Sequence, residues 1–532
     1  MKNLLTHASL CGATLLLLTA CGSGDDGKNG ANGTNGANGT NGTNGLVSLV
    51  KQTPEAMGSS QCWLGGTRID SGVDTNSNSQ LDNSEITQTS YTCTPDNFAG
   101  RGVALPYTVL RNDLENTAYP GSTFEIRNGG YGSDMTGHPT NPMQFYAVTD
   151  RGPNADFTGA QGAGKMFPVE NYTPKIGLFE IQAAGNIALV KTIPLKRPDG
   201  TLITGLPNAT GLGGTKEIPY NSAGEIIRMD MTKPYDATTN PIKLDDYGLD
   251  SEGLVALKDG TFWVSDEYGP HIVHYSAEGV ELGRINPFTA DTRTTWVLPA
   301  EFGKRRANRG MEGLTVTPDQ KTLVGIMQST ISNPTSAVNN SDLTRIVTVN
   351  LATGAIGQYL YQQEIKQNSN SAIVALSNTS FLVLERDGGF QEKTPGVMKH
   401  VYKIDLRNAT NVEAMNAVGD IAQDVNLGLT IGGQTLEQYV LANSWQALAS
   451  QGIVPATKSL VVDMVAQVNY PHDKMEGLWV INNKRLGVIN DDDFATWGVN
   501  NKLEQKYLDT YNAKVDGNVL YIIDNLDLNP AP

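Results

Sequence analysis

Positive charge is scarce in this sequence. Its 532 residues include 39 lysines and arginines against 55 aspartates and glutamates, which gives a formal net charge of −16. Proteins that bind nucleic acids present a cationic face to the phosphate backbone. The charge balance therefore argues against a nucleic-acid partner.

Two familiar catalytic motifs are also missing. The chain contains no Gly-x-Ser-x-Gly elbow, the turn that exposes the nucleophilic serine of α/β-hydrolases. It contains no glycine-rich phosphate loop placed between a strand and a helix. The sequence therefore does not indicate a serine esterase of the hydrolase fold.

Cysteine is rare, with four in the whole chain. Cys11 falls within residues 1–21, which have the features of a targeting segment: Lys2 precedes an apolar run from Leu10 to Leu18 that is too short to span a bilayer. The Leu-Thr-Ala-Cys run ending at Cys21 resembles a bacterial lipobox. We expect cleavage before Cys21 and lipidation of its thiol, which would anchor the protein to the bacterial cell envelope, at the outer membrane or cell surface. An ordinary signal peptide ending near a chance cysteine is the alternative.

Residues 22–45 are predicted to form a tether. From Gly27 to Gly45, glycine occupies every third position, mostly in Gly-Thr-Asn or Gly-Ala-Asn triplets. The period is collagen-like, but proline, which stiffens collagen chains, is absent from the segment. We expect a flexible tether, with a short trimerising segment as the alternative.

Residues 46–94 are predicted to form a small module. Cys62 and Cys93 are the remaining even pair in an exported protein, so we expect a disulfide between them. Residues 74–85 match the ligand positions of an EF-hand-type calcium loop, although Ser79 stands where such loops carry glycine and the flanks are strand-like. The predicted calcium ligands are Asp74, Asn76, Asn78, Gln80, Asp82 and Glu85. An asparagine-rich turn that binds nothing is the alternative.

The rest of the chain is organised around a repeated hairpin, which is clearest from Leu249 to Pro270. Apolar residues alternate along two segments that flank a Lys-Asp-Gly-Thr turn. Glu252 lies before the first strand and Asp266 after the second, so antiparallel pairing carries both carboxylates to one edge of the sheet. Similar units begin near Gly132, Glu312, Ser371 and Glu476.

Repeated β-hairpins predict a β-propeller over residues 101–532. We expect an all-β fold with six blades, seven being the alternative. The sixth blade is placed between Asp150 and Asp250, where residues 176–181 are strand-like. Residues 434–449 show helical periodicity and are expected to pack on a face of the propeller.

The shared register of the hairpins predicts a ring of carboxylates at one mouth of the central channel. Its predicted members are Asp134, Asp150, Glu252, Asp266, Glu312, Glu385, Glu476 and Asp491. Because so many like charges repel one another, we expect a bound cation, and hard oxygen ligands favour Ca²⁺. The alternative is that these acids bind backbone amides at the blade tips or simply face solvent.

Several short runs resemble the bacterial phytase-like propeller family. These runs are the Glu-Gly-Leu units, Val-Thr-Asp-Arg-Gly-Pro at 148–153, Asn-Arg-Gly-Met-Glu-Gly at 308–313 and Asn-Asp-Asp-Asp-Phe at 490–494. The resemblance extends from about residue 129 to residue 494. That family is described as having esterase-like activity of phytase, so the resemblance implies a propeller hydrolase.

We therefore predict a calcium-dependent phosphoesterase that acts on small anionic phosphate esters. The predicted catalytic residues are Glu252, Glu312, Glu476 and Asp491, and the predicted calcium ligands at the mouth are Asp150, Asp266 and Glu385. The adjacent arginines predicted to bind the substrate's phosphate are Arg151, Arg305, Arg309 and Arg386. Two alternatives remain open: a non-catalytic propeller that binds a glycan, polymer or partner protein, and a calcium-dependent lactonase or esterase.

Overall fold

The computed structural model describes residues 33–39, 42, 45–95, 98 and 100–531. The predicted signal segment, including Cys21, and part of the predicted tether lie outside the described residues. No helix in the described part of the chain is long and apolar enough to cross a membrane. The chain divides into two compact units: the first extends to Leu49 and includes Ser71–Thr87, and the second comprises Val50–Asp70 and the chain from Gln88 onward.

The N-terminal module consists of three strands paired in the order β1-β2-β3. They are β1 (Val47–Met57), β2 (Leu64–Asp74) and β3 (Ile86–Cys93). Thr87, Thr89 and Tyr91 in β3 are residue types that favour extended backbone. A disulfide joins Cys62 to Cys93, with their Cα atoms 5.1 Å apart, so the predicted pairing is confirmed.

Three short strands lead into the first large sheet, which has four strands in the order β7-β8-β11-β12. The leading strands are β4 (Val103–Ala104), β5 (Val109–Glu115) and β6 (Thr123–Arg127). The sheet contains β7 (Asp134–Gly137), β8 (Gln144–Val148), β11 (Lys175–Ile181) and β12 (Ile187–Pro194). A separate small sheet contains β9 (Ala155–Gly159), β10 (Gly162–Met166) and β13 (Ile218–Tyr220).

The second and third large sheets follow directly along the chain, each with its strands in sequence order. The second contains β14 (Ser251–Ala256), β15 (Phe262–Asp266), β16 (Ile272–Tyr275), β17 (Glu281–Asn286) and β18 (Thr294–Val297). The third contains β19 (Met311–Val316), β20 (Thr322–Met327), β21 (Leu343–Asn350) and β22 (Ile356–Gln362).

The fourth large sheet is interrupted before its last strand by an insertion. Its strands are β23 (Ser369–Ala375), β24 (Ser380–Arg386), β25 (Lys399–Asp405) and β29 (Thr457–Asp463). The insertion contains β26 (Ile421–Asp424), β27 (Gly428–Ile431), β28 (Gln434–Thr435), α1 (Leu436–Ala442) and α2 (Trp445–Ser450). The predicted helical segment is thus confirmed. Leu436 and Val440 of α1 pack against Leu343 and Leu360 of the third sheet.

The fifth large sheet joins the two ends of the propeller chain, in the order β30-β31-β34-β4. After α3 (Met464–Val468) come β30 (Gly477–Asn482), β31 (Arg485–Ile489), the hairpin β32 (Thr496–Val499) and β33 (Lys502–Gln505), and β34 (Val519–Ile523). Single helical turns lie at Asn83–Glu85, Thr210–Leu212, Ala300–Lys304, Ser336–Val338, Val412–Ala414 and Asp493–Ala495.

The first strands of the five large sheets form a closed ring. β7, β14, β19 and β23 contact one another in turn, β23 contacts β30, and β30 contacts β7 again. The glycines of the Glu-Gly-Leu units permit these contacts: a Cβ on Gly253 would lie 2.7 Å from the backbone nitrogen of Leu314 in the next inner strand. The described chain is therefore a five-bladed propeller.

The prediction of six blades, with seven as the alternative, was wrong. Residues 176–181 lie within β11 of the first sheet, where they pair with β8. Of the other strands between Asp150 and Asp250, β12 also belongs to the first sheet, and β9, β10 and β13 form the small sheet that is not part of the ring. Within the described residues, each of the five hairpins recognised in the sequence contributes one blade.

Apolar side chains fill the space between neighbouring blades. Phe145 of the first sheet stacks on Trp479 of the fifth, with ring centroids 5.4 Å apart. Val324 of the third sheet packs with Ile373 and Phe381 of the fourth. Apolar packing of this kind stabilises the blades. It does not explain the charged groups that are buried at one strand edge, because burying a charge is costly unless it is paired.

Candidate functional site

The inner hairpins bring acidic residues to one edge of the ring, as the register predicted. In the second blade Ser251 pairs with Asp266 at the end of β14 and β15, so Glu252 and Glu267 lie at the same edge. Corresponding positions in the other blades carry Asp150, Glu312, Glu476 and Asp491, and all four are buried. We call this edge the channel mouth.

Three carboxylates at the mouth form one compact group, which we call the triad: Asp250, Glu252 and Glu267. Each offers an oxygen within 4.8 Å of the others, and all three side chains are buried. Glu267 Oε1 accepts a hydrogen bond from Gln328 Nε2 at 2.7 Å. No described residue donates a hydrogen bond to the Glu252 carboxylate.

One guanidinium lies beside the triad. Arg151 Nε is 3.1 Å from Asp250 Oδ2, and its Nη1 is 3.3 Å from both Glu217 Oε2 and Asn308 Oδ1. The Nε–Oδ2 contact is an ion pair without an aligned hydrogen bond, so Asp250 Oδ2 remains open to another partner. A single positive charge thus faces three carboxylates.

A second acidic group at the mouth contains Asp150, Asp491 and Asp493, again with oxygens within 4.8 Å of one another. Here the chain supplies its own cations. Lys474 Nζ lies 2.7 Å from both Asp491 Oδ2 and Asp493 Oδ1, and Lys506 Nζ lies 2.6 Å from Asp493 Oδ2. Burial opposes ionisation of Asp493, yet these two ammonium groups hold its pKa below the usual value. We call this group the lysine-paired cluster.

Two further glutamates at the mouth each keep one buried oxygen without a partner. Glu312 Oε1 accepts from Gln328 Nε2 at 2.9 Å and from Ser371 Oγ at 3.4 Å, while Oε2 accepts from no described group. Glu476 Oε1 is bound by Arg386, and its Oε2 likewise lacks a described partner. An unpaired buried carboxylate oxygen is costly, so these atoms point to a ligand of the mouth.

Burial and mutual repulsion raise the pKa values of three glutamates at the mouth. Burial, followed by the neighbouring Glu312 and Asp250, raises the pKa of Glu252 well above its ordinary value. Burial and Asp250 raise the pKa of Glu267 to about 8. Burial and Glu267 also raise the pKa of Glu312. Without a cation these carboxyls hold protons near neutral pH, and a divalent cation is the natural replacement for those protons.

Three predicted members of the carboxylate ring are engaged elsewhere. Asp266 accepts the backbone amides of Asp250 at 2.8 Å and Gly269 at 2.9 Å. Glu385 accepts the Tyr361 hydroxyl at 2.8 Å and the backbone amide of Glu364 at 2.7 Å. Asp134 accepts the backbone amide of Leu254 at 2.8 Å. The expected role of Asp266 and Glu385 as calcium ligands is therefore not supported. Their oxygens accept hydrogen bonds from nearby protein groups, and neither residue belongs to either acidic group.

The four arginines predicted to bind phosphate differ in their availability. Arg151 and Arg386 are paired with acids of the mouth. Arg305 donates to the carbonyl oxygens of Tyr268 and Gly213, and so braces the loop after β15. Arg309 Nη1 has no described hydrogen-bond partner, and no described acid forms an ion pair with Arg309, so its guanidinium is less committed than those of Arg151 and Arg386.

Sequence reasoning missed several residues of the mouth. Asp250 and Glu267 each lie within two positions of a predicted residue, and Asp493 lies within the recognised Asn-Asp-Asp-Asp-Phe run, so a local signal was present. Gln328 and Lys506 carry no such signal. Gln328 reaches the triad through the register of β19 and β20, and Lys506 arrives on the chain after β33.

The predicted calcium loop belongs to the first unit and is folded around its own oxygens. Asp74 Oδ1 and Oδ2 accept the backbone amides of Asn78 at 3.1 Å and Ser79 at 2.8 Å, and Asp82 Oδ2 accepts the side-chain amides of Asn76 and Asn78. Ser79 adopts a left-handed φ of 62°, the conformation for which such loops use glycine. Glu85 Oε1 accepts the amide of Thr75 at 2.8 Å. The backbone amide of Gln80 donates a hydrogen bond to Asn78 Oδ1.

Fold and site together define a β-propeller with an acidic channel mouth. Residues 126–494 match the phytase-like family, described as esterase-like activity of phytase. The match covers more than half of the chain, and the protein therefore belongs to this family. Residues 48–93 match a family described as a domain of unknown function.

Individual relatives are distant. An uncharacterized secreted protein of Arthroderma benhamiae is 26% identical over 417 residues, which cover 63% of this chain and 78% of that protein. Among solved structures, PorZ of the type-IX secretion system of Porphyromonas gingivalis is matched with 12% identity and a TM-score of 0.28, over 85% of this chain and 50% of PorZ. The periplasmic gluconolactonase PpgL of Pseudomonas aeruginosa is matched with 10% identity and a TM-score of 0.26, over 90% of this chain and 100% of that chain.

Proposed function

We propose that the triad binds Ca²⁺ and that the protein hydrolyses phosphate esters at the channel mouth. The observation that carries the proposal is the triad itself: three buried carboxylates within 4.8 Å of one another, opposed by the single guanidinium of Arg151. When all three acids are ionised, Arg151 offsets one negative charge, and a divalent cation matches the other two. Oxygen-only ligands in an irregular arrangement favour Ca²⁺ over the transition metals.

The lysine-paired cluster fits a cation less well. Lys474 and Lys506 already neutralise most of its charge. We therefore assign Asp150 and Asp491 to a charge-compensated support for the mouth, and Glu252 to the calcium ligands. This assignment revises the predicted catalytic set to Glu312 and Glu476, the two glutamates with unpaired oxygens.

The chain's own residues account for the binding and proton steps. A bound Ca²⁺ would supply a Lewis acid that polarises a phosphoryl oxygen. Arg309, whose Nη1 has no described hydrogen-bond partner, would bind the phosphate. In its ionised form, Glu312 Oε2 takes a proton from the attacking water as the water oxygen bonds to phosphorus and the ester P–O bond breaks. The same proton then passes to the leaving alkoxide, which gives phosphate and an alcohol.

We also propose a structural calcium site in the loop of residues 74–85. Support comes from the alternating oxygen ligands and from the left-handed conformation of Ser79. In the calcium-bound loop, the Glu85 carboxylate would give up its hydrogen bonds to backbone amides and bind the cation instead. Since this loop belongs to the first unit, its calcium is proposed to stabilise the module rather than to serve catalysis.

For its location, we propose that the mature protein is exported and held at the bacterial cell envelope by lipid on Cys21. The lipobox-like run ending at Cys21 supports this proposal. The relative from Arthroderma benhamiae is described as a secreted protein, which supports export.

The proposed function is tested by calcium stripping and reconstitution of the purified protein. After EGTA treatment we expect no turnover of p-nitrophenyl phosphate, and recovery on addition of Ca²⁺. Glu252→Gln should lose one bound calcium and the turnover. The control variant Asp74→Ala/Glu85→Ala should lose a different calcium and keep the turnover.

Two outcomes contradict the proposal: no calcium-dependent turnover of any phosphate monoester, or wild-type calcium binding and turnover by Glu252→Gln. A γ-lactone assayed in parallel separates the lactonase alternative. If the channel calcium binds but neither substrate turns over, the binding-propeller alternative is supported instead.

A further inference from the structure

A cavity lies on the outer side of the first blade. It has a volume of about 520 Å³ and lies between the edge strand β12 and the segment that precedes β5. Its walls include Tyr107, Tyr131, Ile187 and Leu189, and its polar groups include Lys175. None of the residues of the triad or of the lysine-paired cluster lines it.

Lys175 is fixed in this cavity by its backbone. As the first residue of β11, it donates its amide to Thr149 Oγ1 at 3.1 Å and accepts the Thr149 amide at 3.1 Å. Its side chain reaches Asn128 Oδ1 and lies over the faces of Tyr172 and Tyr131, with Nζ 4.7 Å and 5.8 Å from the ring centroids. The position of the ammonium group is therefore defined before any ligand binds.

The Lys175 ammonium has no anionic partner in the described part of the chain. No described carboxylate forms an ion pair with it, and its described neutral partners are Asn128 and two phenol rings. Burial lowers its pKa to about 8. A partly buried cation without a counter-ion is unfavourable, so binding of an anion beside Lys175 would stabilise the site.

The rest of the cavity suits an apolar body. Leu189 and Tyr107 are 40% and 45% exposed although both border the cavity. Apolar side chains exposed next to one another mark surfaces that a ligand covers. The cavity volume also falls in the range of small-molecule sites, which are apolar pockets with a few placed polar groups.

We propose that this cavity binds an apolar organic carboxylate, with its head group paired to Lys175 and its hydrocarbon body against Ile187, Leu189 and Tyr107. The proposal is independent of calcium and of hydrolysis at the channel mouth. It assigns the protein a second small-molecule site, on the outer edge of a blade.

The test uses octanoate and octan-1-ol as a pair that differs only in the charged head group. Isothermal titration calorimetry of the purified protein should detect saturable octanoate binding and much weaker octanol binding. Lys175→Met keeps the length of the side chain and removes the charge. We expect it to weaken octanoate binding by about tenfold or more, the usual effect of losing one charged hydrogen bond, and to leave octanol binding unchanged.

A matched control is Lys393→Met. Lys393 also lies over aromatic rings, 4.1 Å from the Phe390 centroid and 4.9 Å from that of Trp497, but it is not part of the cavity. This variant should bind octanoate as the wild type does. Leu189 lies on the cavity wall, so Leu189→Asp should weaken the binding of both octanoate and octanol.

The proposal is overturned if octanoate shows no saturable binding, if octanol binds as tightly as octanoate, or if Lys175→Met binds octanoate with wild-type affinity. Circular dichroism and calcium binding at the channel mouth identify a variant that has failed to fold. In that case Lys175→Gln, which retains a polar donor, replaces it, and the same loss of octanoate binding is required.

Discussion

Gln328 ties Glu267 of the second blade to Glu312 of the third. Its side-chain Nε2 lies 2.7 Å from Glu267 Oε1 and 2.9 Å from Glu312 Oε1. One neutral amide thus holds a proposed calcium ligand and the proposed proton acceptor at a fixed spacing. The catalytic geometry proposed here depends on a residue that carries no charge itself.

Replacing Gln328 with Met should weaken calcium binding at the triad. The change removes the donor while roughly preserving the side-chain volume, so Glu267 is free to rotate away from Asp250 and Glu252. Loss of such an outer hydrogen bond typically costs about 10- to 100-fold in metal affinity. Calcium titration measures the effect, and an unchanged affinity would show that the bridge does not orient the ligands.

Replacing Glu312 with Gln should abolish turnover while the fold and the bound calcium are retained. The new side chain can still accept from Gln328 through its carbonyl oxygen, but its amide cannot take a proton from water. Loss of a general base lowers the rate by about 10²- to 10⁴-fold. The control is Glu413→Gln, an acid outside the channel mouth that accepts from Gln358 at 2.7 Å. Wild-type turnover by Glu312→Gln would exclude the proposed proton acceptor.

Calcium affinity at the triad should rise with pH. Burial raises the pKa of Glu267 to about 8 and that of Glu252 well above its ordinary value. These carboxyls hold protons at neutral pH, and calcium must displace them. Affinity should therefore increase as the pH rises through about 8, the pKa of Glu267. Calorimetry in two buffers of different ionisation enthalpy measures the released protons, and a flat pH profile without proton release would contradict the expectation.

Replacing Gly477 with Ala should destabilise the propeller at its closing contact. A Cβ at this position in β30 would lie 2.8 Å from the backbone nitrogen of Met135 in β7. Backbone atoms cannot move aside cheaply, so we expect a loss of about 1–3 kcal/mol in the free energy of unfolding, as in other overpacked sites. Urea unfolding measures it. The control is Gly388→Ala, whose added carbon meets no atom within 4 Å, and equal stability of the two variants would argue against the close-approach explanation.

Replacing Cys21 with Ser should release the protein from the membrane fraction of the producing cells. Serine cannot be lipidated by thioether formation, so the mature chain would lose its proposed anchor. Cell fractionation with immunoblotting gives the result. Sedimentation of the Ser variant with membranes would place the anchor elsewhere.

The repeated hairpins were sufficient to predict the propeller because each one contributes the inner strand pair of a blade. The outer strands were harder to assign. Residues 176–181 carry no motif that ties them to the hairpin ending at Val148, although β11 pairs directly with β8. They were therefore counted as a separate blade, which accounts for the error in blade number.

At the channel mouth, the sequence indicated the correct edge but not which carboxylates face one another. Neighbouring residues at a strand end point to opposite sides. Asp266 accepts hydrogen bonds from the backbone amides of Asp250 and Gly269, while the Glu267 carboxylate lies beside those of Asp250 and Glu252. In the fourth blade, Glu385 binds Tyr361, and Arg386 reaches Glu476. Such choices depend on long-range contacts that no local motif records.

The pairing of β4 with β34 sets the order in which the propeller can be completed. The fifth blade joins Val103–Ala104, near the start of the propeller, to Val519–Ile523, near its end. During synthesis or passage through a translocon, the fifth blade therefore cannot be completed until Val519–Ile523 is available. Until then β4 has no partner in the fifth blade, and that blade consists of β30 and β31 alone.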